Sequence, residues 1–251
     1  LVGSEMCIRD RDIHRGDRMK TLVAMDTKSV VGKSLVEERT GQPCENFRNG
    51  DHTTTLIRTE NGKVIEIQHD VMTPQPYNRL YQLTGTKGFA NKYPIAGYAL
   101  DAKQLNASGV APEVDNLNSH SFMPKKDMEA LVQKYQHPIL KKYGEMAKEV
   151  GGHGGMDFIM DSRLVYCLQN GLPLDMDVYD LAEWCCLAEL GELSMDNNCA
   201  AVAFPDFTRG EWNKVKGYKH AYASPEDESV AMEKAKKITA KLKEKGAVEW
   251  A

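Results

Sequence analysis

Short apolar and β-rich runs occur between residues 22 and 71, and they predict strands. The apolar run Leu22–Met25 fits one strand, and Thr53–Thr59 and Lys63–Val71 are β-rich runs on either side of Asn61-Gly62. Asn-Gly favours a tight hairpin because both residues tolerate positive φ. Part of the buried face of this hairpin is assigned to Leu56, Val64, Ile65 and Ile67.

Further strand signals are weaker. Arg79–Phe89 is predicted as a third strand, with a turn or bulge at Gly85–Gly88. Residues 94–121 are rich in Asn, Gly, Ser and Pro, and they predict a long surface loop. Ala201–Phe204 is predicted as an edge strand, because Pro205 ends it. Ser34–Arg39 predicts a short helix.

Helical periodicity dominates after residue 124. Lys125–Gln136 carries apolar residues at the i, i+3, i+4, i+7 spacing of one helix face, namely Met128, Leu131, Val132 and Tyr135. Pro138 suits the first turn of the next helix, and Gly151–Gly155 interrupts it. The other predicted helices are Ile139–Val150, Met156–Gln169, Asp177–Met195 and a charged tail helix, Pro225–Lys245.

Strands precede helices without β-α alternation, which favours an α+β fold over a doubly wound sheet. We predict one domain over residues 12–251, an open and mostly antiparallel sheet with helices packed on one face. The composition is that of an ordinary globular protein, with 41% hydrophobic and 27% charged residues. The net charge of −4 does not suggest a nucleic-acid partner. No apolar run approaches the ~18–20 residues that cross a bilayer.

The cysteines do not form a metal or disulfide pattern. Six cysteines occur without a CxxC pair, which favours buried free thiols. His153, Asp157 and Asp161 share one helix face at i, i+4 and i+8, a spacing that permits a metal ligand set. A third well-placed ligand is missing, so no metal is predicted.

The glycine cluster does not match a nucleotide-binding turn. A dinucleotide fingerprint is GxGxxG between a strand and a helix, whereas Gly151–Gly155 follows a helix. It is better explained as a hinge where backbone approaches another group closely, either as a structural corner between two helices or as backbone that faces a substrate cleft together with His153. His153 lies inside it, either as a polar contact to substrate or cofactor or as an ordinary capping histidine.

Tyr77 follows Pro74-Gln75-Pro76, and a loop stiffened by proline would present its phenol. A sugar contact through ring and hydroxyl and a packed tyrosine are equally good explanations of the local sequence. His69-Asp70 has acid/base chemistry, but adjacent strand residues point to opposite faces. Among the tryptophans, Trp184 is predicted in the core, and Trp212 stays open.

Several long segments together resemble a known family. They are DIHRGDRM from Asp12, DVMTPQPY from Asp70, LTGTKGF from Leu83, GGHGGMDFIMD from Gly151 and PDFTRGEW from Pro205. The chain closely resembles the C-terminal half of glycoside hydrolase family 109, NAD-dependent enzymes of the glucose–fructose oxidoreductase and inositol dehydrogenase-like (Gfo/Idh/MocA) superfamily.

The resemblance implies a fold and a partner set. The superfamily's second domain is an open antiparallel sheet that forms one wall of the active site and often an oligomer interface, so a homo-oligomer through the sheet face is expected. NAD is held by an N-terminal Rossmann domain, whose fingerprint this sequence lacks. The tyrosine of the family's Pro-x-Pro-Tyr element contacts the carbohydrate substrate, which implies substrate binding by Tyr77, with His153 as a second candidate.

The resemblance also implies an unusual reaction. NAD⁺ oxidises the C3 hydroxyl of a terminal α-N-acetylgalactosamine, a base removes the C2 proton, the glycosidic oxygen leaves by elimination, water adds, and C3 is reduced again. The family's catalytic Tyr-Pro-Thr-His element lies just upstream of the segment that begins at Asp12. Residues 1–11 take that position and are interpreted as a non-native, adapter-like artefact, or else as a genuine N-terminal arm. The catalytic residues are therefore unassigned, and the chain alone is expected to be inactive.

Two other functions stay open at this point. One is a sugar or cyclitol dehydrogenase of the same superfamily, which would produce NADH without cleaving a glycosidic bond. The other is a non-enzymatic sheet domain for assembly or sugar binding, which requires residues 1–11 to be native.

Overall fold

A computed structural model of the chain describes residues 17–79, 81–101, 103–104, 109, 120–170, 174, 176, 178–210 and 212. Two compact units divide the chain. The first comprises residues 1–107, 112–123 and 178–218, and the second comprises residues 108–111, 124–177 and 219–251. The predicted tail helix lies outside the described residues.

The first unit contains two antiparallel sheets. A four-stranded sheet has the order β3-β2-β1-β7, and a three-stranded sheet has the order β4-β5-β6. The strands are β1 (Met19–Asp26), β2 (Thr53–Thr59), β3 (Val64–His69), β4 (Gln82–Thr84), β5 (Gly88–Asn91), β6 (Gly97–Leu100) and β7 (Val202–Ala203). Two helices of this unit have both ends within the described residues, α1 (Val31–Thr40) and α5 (Val178–Asp196).

The core of the first unit lies between α5 and one face of the four-stranded sheet. Its buried apolar residues are Met19, Leu22, Ala24, Ile57, Leu190 and Phe204. Ser194 of α5 joins the layers, since its Oγ accepts from Ala24 N at 3.0 Å and donates to Ala200 O at 2.7 Å. Trp184 packs against this core, as the helical pattern predicts.

The prediction of the buried hairpin face is half right. Ile65 and Ile67 pack against the core, but Leu56 is 47% exposed and Val64 is 69% exposed. The buried apolar residue of β2 is Ile57, which is paired with Ile65. Leu56 and Ile57 are adjacent apolar residues, so a period of two fits either face, and the strand register decides between them.

The segment after the hairpin also differs from prediction. The predicted turn at Gly85–Gly88 is confirmed, because Gly85 N donates to Gly88 O at 2.9 Å. The turn joins two paired strands, β4 and β5, where one strand was predicted. Strand β6 lies within the stretch predicted as a loop and pairs with β5. A Cβ on Gly88 would lie 2.8 Å from the backbone oxygen of Ala99 on β6, so the close approach of these two strands requires glycine.

The second unit is helical. It contains α2 (Lys125–Tyr135), α3 (Pro138–Val150) and α4 (Met156–Asn170), close to the predicted bounds. The apolar stripe of α2 is only partly covered, since Met128 and Leu131 are half-buried while Val132 and Tyr135 are exposed. None of the helices in the described ranges has the length and apolarity that a membrane crossing needs.

The glycine cluster forms the corner between α3 and α4. A Cβ on Gly155 would lie 2.6 Å from the carbonyl carbon of buried Ala147. The backbone that glycine lets approach closely is therefore that of α3. The α+β class with open antiparallel sheets is confirmed, with the strands divided between two sheets and α5 covering one face of the larger one.

Candidate functional site

Asp70 fixes the loop that leaves β3. One carboxylate oxygen accepts from Met72 N at 3.3 Å and from Thr73 N at 3.0 Å, and the other accepts from Thr73 Oγ1 at 2.6 Å. These bonds, those from Thr73 first, lower the pKa of Asp70 to about 2. The side chain is only 8% exposed, so the start of the Tyr77 loop is anchored rather than free.

The histidine that faces Asp70 is His52. Its Nδ1 lies 3.4 Å from Asp70 Oδ2, and its Nε2 lies 3.2 Å from Thr54 Oγ1. His69 is instead exposed at the end of β3, where it is paired with Thr53. The histidine–aspartate contact that the structure forms is thus His52–Asp70. Sequence reasoning missed His52, because its partner lies 18 positions away and the β2–β3 register brings them together.

Asp51, next to His52, holds the start of α1. Its carboxylate accepts from the backbone N–H groups of Val30, Val31 and Gly32, each at 2.8 Å. The bonds from Gly32 and Val31 are the main reason that the pKa of Asp51 is lowered. Helix α1 has no side-chain cap of its own at Val30, so this remote carboxylate replaces it. The capping role engages both carboxylate oxygens of Asp51.

Tyr77 is displayed at the surface. Its side chain is 69% exposed, and its ring lies edge-on to Tyr93 with 6.1 Å between the centroids. Arg79 Nε donates to the Tyr77 hydroxyl, and Arg79 Cζ lies 5.5 Å from the centroid of the Tyr77 ring. Of the two explanations for this tyrosine, the structure favours presentation over packing in a core.

His153 lies in a left-handed turn of the second unit. Five successive residues from Gly151 to Gly155 have positive φ, and the value at His153 is 45°. The imidazole is exposed, and its Nδ1 lies 2.8 Å from Asp157 Oδ2. Asp161 is exposed and does not join them. Among the described residues no cluster of three or more metal-ligating side chains exists.

The segment around Trp212 is organised by Asp206. Its carboxylate accepts from Thr208 N and Oγ1 at 3.0 and 2.7 Å and from Gly210 N at 2.8 Å. These hydrogen bonds lower the pKa of Asp206, and the bond from the Thr208 hydroxyl has the largest effect. Trp212 N then donates to Thr208 Oγ1 at 3.0 Å, and Arg18 Cζ lies 6.0 Å from the Trp212 ring. The backbone of Trp212 is therefore held by the Thr208 turn, and its ring lies beside Arg18 at the start of β1.

The cysteines within the described ranges are free, as expected, but only one is buried. Cys167 is buried, Cys44, Cys186 and Cys199 are half-buried, and Cys185 is exposed. Burial raises the pKa of Cys186 to about 11, which keeps it protonated and unreactive at neutral pH.

Comparison with known proteins identifies the family. The model of the glycosyl hydrolase 109 C-terminal domain matches residues 3–214, so the chain belongs to this family. Two relatives from Phocaeicola vulgatus, glycosyl hydrolase family 109 proteins 5 and 4, are 85% and 84% identical over 240 residues. A family 109 protein from Porphyromonas gingivalis is 61% identical over 212 residues.

The matches cover most of this chain but only part of each relative. The two Phocaeicola proteins match 96% of the chain, and the Porphyromonas protein matches 84%. The chain spans about half of their length, 46% of the first two and 45% of the third.

Proposed function

We propose that this chain is the substrate-binding part of an NAD-dependent glycosidase that hydrolyses terminal α-N-acetylgalactosamine. The observation that carries the proposal is the display of Tyr77 on a loop anchored by Asp70. An exposed aromatic ring keeps apolar surface in contact with water, which is unfavourable until a ligand covers it. A sugar offers C–H groups that pack on the ring and hydroxyls that hydrogen-bond to the phenol. Family membership supports the reaction type.

His153 is proposed as a second substrate contact. Asp157 Oδ2 lies 2.8 Å from the Nδ1 atom of His153. This contact orients the imidazole ring. Its Nε2 has no hydrogen-bond partner within the described ranges, so it is available to a sugar hydroxyl. The positive φ at this non-glycine residue is unusual, and such strain is frequently stored at functional positions.

The described residues do not fit the binding of NAD. The glycine cluster at Gly151–Gly155 packs Gly155 against Ala147 as a helix corner, and it is not a turn between a strand and a helix. We therefore propose that NAD is bound by a Rossmann domain in the part of the relatives that this chain does not span. There NAD supplies the hydride transfer, and this chain supplies the contacts that position the sugar.

The larger sheet supports a homo-oligomer. The face of this sheet opposite α5 carries exposed Met25, Leu56 and Val64, and the register places them on the same side. Contact with another protein surface would remove these apolar side chains from water. We propose that it pairs with another copy of the chain.

A direct test measures sugar binding by Tyr77. The ¹⁵N-labelled 251-residue chain is titrated with N-acetylgalactosamine, and the affinity is compared with that of Tyr77→Phe and Tyr77→Ala. We expect loss of about 1 kcal/mol without the hydroxyl and more without the ring. Tyr135→Ala is the matched control, since Tyr135 is a similarly exposed tyrosine of the second unit. An unchanged affinity in Tyr77→Ala would remove the basis of the proposal.

The proposed division of labour has its own test. The 251-residue chain with added NAD is expected to release no nitrophenol from nitrophenyl N-acetyl-α-galactosaminide. Release that depends on NAD would show that this chain contains a complete site. Net NADH formation from free sugar without bond cleavage would instead favour a dehydrogenase, and neither activity nor sugar binding would favour an assembly domain.

A further inference from the structure

Two exposed cations lie against the tyrosine pair of the first unit. Arg79 Cζ lies 5.5 Å from the Tyr77 centroid, and Lys92 Nζ lies 5.6 Å from the Tyr93 centroid. The two rings are themselves in edge contact at 6.1 Å. The four side chains therefore form one continuous surface, which we call the tyrosine–cation surface.

Internal carboxylates do not neutralise this surface. Arg18 and Lys20 of the same unit share Glu60 at 2.9 and 3.0 Å. By contrast, within the part of the chain that the structure describes, neither Arg79 nor Lys92 has a carboxylate at ion-pair distance. Two positive charges therefore remain next to Tyr77, and they raise the local concentration of anions.

The geometry of Arg79 leaves part of its guanidinium free. Its Nε donates to the Tyr77 hydroxyl, while its two terminal nitrogens make no hydrogen bond to other described residues. The free edge of a guanidinium matches the paired oxygens of a carboxylate or sulfate. The Tyr77 ring, which can pack against a sugar, thus lies directly beside the Arg79 guanidinium, which can bind an anion.

We propose that the tyrosine–cation surface binds an acidic glycan, in which a carboxylate or a sulfate ester lies on the N-acetylgalactosamine itself or on the adjoining sugar. The inference rests on the proposed function, since it takes Tyr77 as the contact to the amino sugar. Arg79 binds the anionic group, and Lys92 adds a second positive charge. The surface then selects for charge next to the sugar as well as for the sugar.

The test compares neutral and anionic ligands on the 251-residue chain. The ¹⁵N-labelled protein is titrated with N-acetylgalactosamine, its 6-O-sulfate, and a disaccharide of a sialic acid linked to N-acetylgalactosamine. We expect tighter binding of an anionic ligand by about fivefold for each cation engaged. The sulfate and carboxylate arms separate the two sources of charge. The preference should shrink at about 0.5 M NaCl, where screening is strong.

Variants assign the preference to residues. Arg79→Gln and Lys92→Gln should each lower the ratio of anionic to neutral affinity by about fivefold, and Arg79→Lys should restore part of it because the charge returns. Lys87→Gln is the control, since Lys87 is exposed in the turn between β4 and β5 and should leave the ratio unchanged. Because the readout is a ratio, a general loss of sugar affinity does not affect it.

The outcomes separate the inference from the proposed function. Equal affinity for neutral and anionic ligands, with shifts at Tyr77, overturns the inference and leaves the proposed function standing. A preference that survives both glutamine variants also overturns it. Absence of binding by any of the three sugars overturns the proposed function and the inference together.

Discussion

At the scale of single residues, carboxylates that accept several hydrogen bonds organise this chain. Asp51, Asp70 and Asp206 each accept several N–H or O–H groups from loop and helix starts. All three have lowered pKa values, with hydrogen bonds as the largest cause. Each carboxylate therefore stabilises its loop only while it is ionised.

Asp70 gives the sharpest prediction at this scale. Its pKa is about 2 in the folded chain against an ordinary 3.8. A lowered pKa in the folded state contributes stability above the unfolded value, and that contribution is lost as the pH falls from about 4 to about 2. We expect Asp70→Asn to lower the urea midpoint at pH 6 and to leave it nearly unchanged at pH 2.

A control variant and an NMR titration test the same prediction. Asp161→Asn alters an exposed carboxylate of the second unit and should change neither midpoint. The amide shift of Thr73, which donates to Asp70 at 3.0 Å, should titrate with an apparent pKa of about 2. Titration near 3.8, the ordinary value, would contradict the proposed anchoring of the Tyr77 loop.

At the scale of elements, the corner between α3 and α4 depends on glycine for two different reasons. Gly154 has a φ of +71° with open space around it, whereas Gly155 has a φ of +97° and also lies against Ala147. Gly154 requires only a left-handed backbone conformation, which is less favourable by roughly 1–2 kcal/mol for a residue with a side chain. Gly155 requires the same conformation and also has no room for a Cβ atom.

This difference predicts unequal effects of one substitution. Gly154→Ala should lower the free energy of unfolding by about 1 kcal/mol. Gly155→Ala adds a clash with the α3 backbone and should cost about 3 kcal/mol or more. Urea unfolding followed by helical circular dichroism measures both. Equal losses in the two variants would mean that α3 and α4 do not meet at Gly155.

At the scale of the whole molecule, the open face of the larger sheet lacks a cover among the described residues. Exposed Met25, Leu56 and Val64 lie on it. If this face joins two copies, the chain should be a dimer or larger by light scattering. The double substitution Leu56→Glu and Val64→Glu should then release monomers, because it places like charges across an apolar contact.

Val132→Glu serves as the comparison for this test. Val132 is also an exposed apolar residue, but it lies on α2 of the second unit. It should leave the oligomeric state unchanged. A wild-type chain that is monomeric at every concentration measured would exclude the sheet-face interface.

Local signals in the sequence were sufficient for most elements. The Asn61-Gly62 hairpin, the start of α3 at Pro138 and the break at Gly151–Gly155 were all predictable. Each of these features depends on the backbone preferences of a few neighbouring residues, so the local sequence is enough to predict it. The α+β class followed from the order of these elements, and the family followed from long matching segments.

Contacts between distant residues decided the rest. Whether Leu56 or Ile57 is buried depends on the register with β1 and β3, because two adjacent apolar residues satisfy a period of two on either face. The pairing of His52 with Asp70, the capping of α1 by Asp51 and the edge contact of Tyr77 with Tyr93 join residues 16 to 21 positions apart. No local pattern encodes such pairs, since they form only when folding brings separate segments together.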